Sequence, residues 1–250
     1  MKPIALITGA TSGIGEATAR LLASSHFLIL CGRRIDRLES LARELKVFTD
    51  IHTLSFDVRD QEHVKSSIEG LPEQWRAIDV LINSAGNAHG LSFIQDGDSA
   101  DWDAMIDINV KGLLYVSQSV IPLMTARNSG HIVNIGSIAG IEVYPKGNVY
   151  NASKYAVNAI SQGMRMDLNP YGIKVTEIKP GLVDTEFSLI RFKGDEDKAE
   201  QVYKGFDPLL AKDVADTIKY AITRPAHVVI ADMVVLPTAQ ASATIVKKDL

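Results

Sequence analysis

Cysteine is almost absent. The chain holds one, Cys31, among 250 residues. A single thiol forms no internal disulfide. Set in an apolar, strand-like run, Cys31 reads as a buried, inert thiol in a reducing compartment. Long apolar runs are missing too. No stretch approaches the ~18 apolar residues of a membrane span. The run Ile4-Ala5-Leu6-Ile7 is too short for a secretory signal. These absences predict a cytoplasmic protein with no membrane partner. Charge of one sign is scarce: the net charge is −4, which gives no reason to expect nucleic acid as a partner. His52, His89 and His131 lack the spacing of metal ligands, so they read as structural and no metal is expected. The chain shows no internal repeat, low-complexity tract or interdomain linker.

What is present is an ordinary globular mixture, 46% hydrophobic and 22% charged. The length suits one large α/β domain spanning residues 1–250, although length alone also permits two small ones. Short apolar runs predict buried parallel strands at Ile4–Thr8, Phe27–Cys31, Ile51–Phe56, Val80–Asn83, His131–Ile135, Lys174–Lys179 and Val228–Ile230. Amphipathic stretches between them predict helices at Gly15–Ala23, Asp36–Leu45, Glu62–Glu69, Trp102–Thr125, Val149–Leu168 and Lys212–Thr223. This alternation predicts a single-domain, Rossmann-like, doubly wound parallel sheet of about seven strands, with helices on both faces. One segment breaks the rhythm. The charged insert from about 184 to 207 reads as irregular, a lid over a site.

Thr8-Gly9-Ala10-Thr11-Ser12-Gly13-Ile14-Gly15 follows the first strand and opens the first helix. Glycines permit a tight turn whose backbone N–H groups approach an anion, and the helix N-terminus adds its partial positive charge. The context, strand before and helix after, makes this a dinucleotide pyrophosphate site. The second strand ends in Cys31-Gly32-Arg33-Arg34. An acidic residue there marks NAD, whereas guanidinium forks match a phosphate, so Arg33 and Arg34 predict NADP(H). Asp36 is the rival as a ribose acceptor; its place before a helical pattern favours an N-cap role instead. Asp57-Val58 follows the third strand, where the side chain either meets the adenine or caps the next helix. Asn83-Ser84-Ala85-Gly86 closes the fourth strand at the same edge.

Tyr150-Asn151-Ala152-Ser153-Lys154 places a tyrosine and a lysine on one side of a helix. A phenol titrates near ~10, and a cation beside it favours the phenolate. A serine hydroxyl, Ser137, thirteen residues upstream, is placed to bond the substrate oxygen. Taken alone, such a pair also fits an exposed aromatic beside a solvated lysine.

Together these residues resemble the short-chain dehydrogenase/reductase family. The likeness is carried by Thr8–Gly15, Asp57-Val58, Asn83-Ser84-Ala85-Gly86, Asn109 in Ile108-Asn109-Val110-Lys111-Gly112, Ser137, Tyr150, Lys154 and Pro180-Gly181, in family order over nearly the whole chain. Ser84 departs from the family's usual second asparagine, which implies a structural adjustment. Gly32-Arg33-Arg34, Gly147-Asn148-Val149-Tyr150, Thr185-Glu186-Phe187, Arg191-Phe192-Lys193-Gly194-Asp195 and Pro225-Ala226-His227-Val228 further resemble the NADP-dependent serine/3-hydroxy acid (allo-threonine) dehydrogenases within it.

The resemblance implies that Tyr150 exchanges the hydroxyl proton, Ser137 orients the reacting oxygen, and Lys154 lowers the Tyr150 pKa and holds the nicotinamide ribose. Asn109 would hold a relay water. Pro180-Gly181-Leu182-Val183-Asp184-Thr185 would line the nicotinamide, with Val183 and Thr185 touching it. Among Arg191, Lys193 and Lys146, Arg191 has the geometry to anchor a substrate carboxylate, although a basic loop residue is equally often just solvated. In family members two long helices pair between subunits, which implies a homotetramer. The expected activity is NADP-dependent hydride transfer to or from a small 3-hydroxy acid such as serine, allo-threonine or 3-hydroxypropionate. A broad carbonyl reductase and a non-catalytic NADP sensor are the alternatives, and the intact Ser137–Tyr150–Lys154–Asn109 set argues against the sensor.

Overall fold

The structure is a computed structural model that describes residues 2–249. In chain order its elements are β1 (Ile4–Thr8), α1 (Gly13–Leu22), β2 (Phe27–Gly32), α2 (Ile35–Leu45), β3 (Ile51–Ser55), α3 (Gln61–Glu69), β4 (Ile78–Asn83), α4 (Ser99–Ile106), α5 (Leu113–Thr125), β5 (His131–Ile135), α6 (Asn148–Leu168), β6 (Lys174–Pro180), β7 (Val183–Asp184), α7 (Glu186–Arg191), α8 (Glu196–Tyr203), β8 (Leu209–Leu210), α9 (Ala211–Ile222) and β9 (Asp232–Val235). Seven strands form one parallel sheet in the order β3-β2-β1-β4-β5-β6-β9, and β7 pairs with β8 in a separate ribbon. The expected doubly wound sheet is the one found. Its order reverses between β1 and β4, so a crevice opens at the strand C-termini there.

Strand alternation divides the core into two layers. Leu6, Ile29, Leu81, Ile132 and Val175 face α5 and α6, packing with Val116, Val120, Val157 and Met164. Ile7, Leu30, Ile82, Val133 and Ile178 face the other way, against Leu22 of α1, Leu38 of α2, and Val214 and Ile218 of α9. Full burial of each such side chain stabilises the fold by roughly 1.5–3 kcal/mol.

Four expectations are corrected. The last strand lies at Asp232–Val235, not Val228–Ile230. The apolar run there leads out of a turn in which Val228 N–H bonds the Pro225 carbonyl, and pairing with β6 begins only at Asp232. The predicted helix Trp102–Thr125 is α4 and α5 joined by a π-type turn, Asp107–Gly112. The 184–207 segment is not irregular: it carries α7 and α8, whose first turns are capped by the side chains of Thr185 and Asp195. Asp36 is not an N-cap, because α2 starts one residue before it and Arg34 occupies that position. Asp36 instead lies in the first turn, where a negative charge suits the helix dipole. Among the described residues no helix is long and apolar enough to cross a membrane.

Candidate active site

The glycine-rich turn is shaped by steric necessity. Gly9 and Gly13 have φ of 67° and 52°, a region costly to residues with a Cβ. At Gly15 a Cβ would lie 2.4 Å from the Gly9 carbonyl oxygen. Gly15→Ala is therefore expected to destabilise the protein by about 1–3 kcal/mol, read as a lower midpoint of denaturant unfolding. Thr8 ties this turn to the neighbouring strand end: its Oγ1 accepts from the N–H groups of Ser84 and Ala85, both at 3.1 Å. The Ser12 side chain leaves the first N–H groups of α1 unbonded, so they point into the crevice with the helix dipole behind them.

Three adjoining clefts follow along the sheet edge. The first, ≈ 770 Å³, is lined by Gly9, Thr11, Ser12, Arg33, Arg34, Asp57, Val58, Ala85 and Gly86, with Asn87, Ile108 and Ile190. Arg34 Nη2 donates to the Thr11 carbonyl at 3.1 Å and Nη1 to Glu186 at 2.8 Å; Arg37 reaches the other Glu186 oxygen. Arg33 meets Asp57 at 3.2 Å. Asp57 does not cap α3; Asp60 does, accepting from His63 N–H. Burial pushes the Asp57 carboxyl up, but Arg59 and Arg33 outweigh it and hold it at about 2.

The second cleft, ≈ 520 Å³, shares Gly86 with the first and is lined by Ile14, Ser84, Ser137, Tyr150, Lys154, Pro180, Gly181, Val183 and Thr185, with Phe187. Ser137 stands just after β5, its Oγ accepting from Ala139 N–H at 3.1 Å. Tyr150 and Lys154 come from the first two turns of α6, 8% and 6% exposed. The Lys154 ammonium donates to the Ile135 carbonyl at 2.9 Å. Burial drops it to about 8, against the pull of Glu177. Burial pushes the Tyr150 phenol up to about 12, assisted by Tyr144 and opposed by Arg191 and Ser137. Two cations stand beside Tyr150: the Arg191 guanidinium carbon is 4.9 Å from the ring centroid, and the Lys154 ammonium, held by the Ile135 carbonyl, is 5.9 Å from it.

The third cleft shares Tyr150 with the second and is lined by His89, Asp101, Trp102, Lys146 and Arg191, among others. Arg191 sits among Tyr144, Tyr150 and Phe187. Its Nη2 donates to the Tyr144 hydroxyl, and its buried Nε has no partner. The rival cations are engaged elsewhere: Lys193 pairs with Asp101 at 3.0 Å, and Lys146 lies over the Phe93 ring.

Two predicted site residues stand behind the clefts. Asn83 is buried, with Nδ2 donating to Ser117 at 3.0 Å and Asn134 at 2.9 Å; it joins strands and helix and lines none of the three clefts. The Asn109 amide, in the π-type turn, bonds the N–H and carbonyl of Asn87 at 2.9 and 2.8 Å and Ser153 at 3.0 Å. Its side chain thus grips the loop after β4. The sequence reading missed Tyr144 and Phe187, which reach Arg191 only through the fold. It also missed Gln240, which accepts from Leu182 N–H at 2.8 Å and pins the turn after β6. An aromatic before a lysine in a glycine-flanked loop carried no signal. Among the described residues no cluster of His, Cys, Asp or Glu could hold a metal.

An open parallel sheet with a glycine turn at its switch point, and a serine, tyrosine and lysine converging beside it, defines a dinucleotide-dependent oxidoreductase. The chain belongs to the short-chain dehydrogenase family, whose model matches residues 3–194. It is 46% identical over the full length of both chains to sulfoacetaldehyde reductase 2 of Chromohalobacter salexigens. It is 43% identical to the NADP-dependent 3-hydroxy acid dehydrogenase YdfG of Escherichia coli K12, covering 96% of this chain and 97% of that one. A closed form of serine dehydrogenase complexed with NADP+ superposes with a TM-score of 0.93 at 41% identity, covering 99% and 100% of the two chains. The resemblance read from the motifs is borne out.

Proposed function

We propose that this protein is an NADP-dependent oxidoreductase for small acids whose anionic group lies one carbon away from the reacting carbon. The observation that carries this reading is the Arg191 guanidinium, set 4.9 Å from the Tyr150 ring with a free buried Nε. Serine, allo-threonine and 3-hydroxypropionate all place a carboxylate one carbon from the hydroxyl-bearing carbon. Sulfoacetaldehyde places a sulfonate at the same distance from its carbonyl. The relative named as a sulfoacetaldehyde reductase favours that second anion as strongly as the serine and 3-hydroxy acid dehydrogenases favour the first.

The residues present fit NADP(H). Gly9, Gly13 and Gly15 clear space for a pyrophosphate against α1, Arg33 and Arg34 suit the 2′-phosphate, and Asp57 and Val58 flank the adenine end. Val183 and Thr185 face the nicotinamide end. The cofactor supplies the hydride chemistry. In reduction, the Tyr150 hydroxyl gives its proton to the carbonyl oxygen while the Ser137 hydroxyl bonds that oxygen. In oxidation the proton returns to the phenolate. Lys154 supplies positive charge and a donor to the ribose, and Asn109 acts by fixing the Gly86-Asn87 loop. The lid helices exclude water. Leu114, Tyr155 and Met166 lie exposed on α5 and α6, which suits the pairing of those helices in a homotetramer. The whole chain acts as one domain, in the cytoplasm.

The substrate reading is tested by Arg191→Ala. Loss of a bidentate, charge-assisted contact should raise KM for 3-hydroxypropionate and for sulfoacetaldehyde by about 10², and leave turnover of a neutral diketone within about threefold. Equal losses on acid and neutral substrates would sink the anchor.

A further inference from the structure

Strand β6 carries Glu177 and Lys179 on the face that meets α6, the parity of Val175, which packs with Val157 and Met164. Buried strands seldom hold such residues. Glu177 is fully buried and Lys179 is 4% exposed. Their charged atoms are 3.1 Å apart, and Lys179 also pairs with Asp232 on β9. Beyond that ion pair, neither Glu177 oxygen has a hydrogen-bond partner. The carboxylate presses on Gly136, where a Cβ would lie 2.1 Å from Oε1. Gly136 joins Ile135, whose carbonyl holds Lys154, to Ser137. An acid therefore stands directly behind the turn that carries Ser137 and whose Ile135 carbonyl holds Lys154.

From this geometry we propose that Glu177 is a positioning residue: its buried carboxylate fixes the Ile135–Ser137 turn and, through the Ile135 carbonyl, the place and surroundings of the Lys154 ammonium. It touches no reacting atom, and it rests on the reading of Tyr150 and Lys154 as the acid–base pair. Gly136 is a glycine because any side chain there would displace the carboxylate. The charges acting on Glu177 are Lys179 on its own strand, Asp232 on β9 and Lys154 on α6; Arg165 of α6 is held by Asp232 and the Val175 and Ala231 carbonyls. Tyr150, on the same helix, also faces Tyr144, Arg191 and Tyr203. Helix α9 packs on the opposite face of β6, against Ile178. Burial pushes the Glu177 carboxyl up, and Lys179 and Lys154 pull it back. It is the anion that opposes the burial of Lys154.

The test is Glu177→Gln, which keeps shape and removes charge. The Lys154 side chain is titrated by NMR in the cofactor-free protein, assigned with Lys154→Arg, beside the pH profile of kcat/KM for oxidation. Loss of an anion eases deprotonation, so the Lys154 titration should fall from about 8 by about one unit. The upper bend of the oxidation profile, where Lys154 loses the charge the reaction uses, should fall with it. Glu177→Asp should keep both near wild type. Lys179→Met should lower both as well, because the carboxyl, stripped of its partner, takes up a proton; this variant carries the test if Glu177→Gln does not fold. An unmoved Lys154 titration in a folded variant overturns the proposal and leaves Glu177 a packing residue. A titration that falls without the kinetic limb keeps the coupling and removes Lys154 from the reaction.

Discussion

Tyr150→Phe is expected to lower kcat by about 10³ in both directions while leaving the Kd for NADPH within about threefold. The substitution deletes one oxygen from a ring that is 8% exposed and packed edge-on against Phe187, so the packing survives and only the proton donor is lost. General acid catalysis contributes typically 10²–10⁴. The wild-type pH dependence should reveal the same group. Burial holds the phenol at about 12 in the free protein, so it is protonated, and ready to donate, across the neutral range. Reduction should therefore be nearly flat there. Oxidation needs the phenolate, whose fraction grows tenfold per pH unit below the pKa, so its rate should climb with pH up to about 8, where Lys154 begins to lose its charge. A Tyr150→Phe variant that keeps a tenth of wild-type kcat would remove the phenol from the chemistry. Steady-state kinetics and a fluorescence titration with NADPH make the comparison.

The second large effect concerns cofactor choice. Arg33→Ala combined with Arg34→Ala should raise KM for NADPH by at least about 10² and change that for NADH by less than about threefold. Each arginine presents a charge-assisted fork to a phosphate, and such bonds are worth roughly 1.5–3 kcal/mol. The two single variants separate binding from structure. Arg33 makes one exposed contact, to Asp57, and exposed pairs contribute little to stability. Its loss thus reports on the ligand alone. Arg34 is also a structural tie, joining the glycine-rich turn at Thr11 to Glu186 at the start of α7. Its removal should lower the melting midpoint as well. A wild-type protein that prefers NADH would overturn the assignment of both.

Much of this was legible in the chain because it depends on local spacing. Apolar runs marked six of the seven strands of the sheet, and the glycines at 9, 13 and 15 marked the turn. The four-residue step from Tyr150 to Lys154 put both on one helix face, and the structure turns that face into the second cleft. What was not legible depends on contacts across the fold. Tyr144 meets Arg191 from a loop 47 residues away. Gln240 reaches Leu182 across 58. The second cation beside the phenol was hidden for the same reason: helical spacing brings Lys154 near Tyr150, but only the packed chain shows the Arg191 guanidinium against the same ring. The edge strand was misplaced because Val228-Val229-Ile230 has strand composition without a pairing partner, whereas Asp232 opens the true strand with a charged residue bound to Lys179. One signal was available and passed over. Glu177 and Lys179 alternate along a strand buried on both faces, which composition alone marks as unusual.

The central claim is that an anion held by Arg191 and a phenol at Tyr150 act on one substrate. It is tested most directly by following NADPH absorbance with purified protein, comparing NADP+ and NAD+, with 3-hydroxypropionate against 1-propanol, which has the same carbon count and no anion. The account predicts NADPH formation from 3-hydroxypropionate with kcat/KM at least about 10² above that for the neutral alcohol, and little activity with NAD+. Equal kcat/KM for the two alcohols would contradict it.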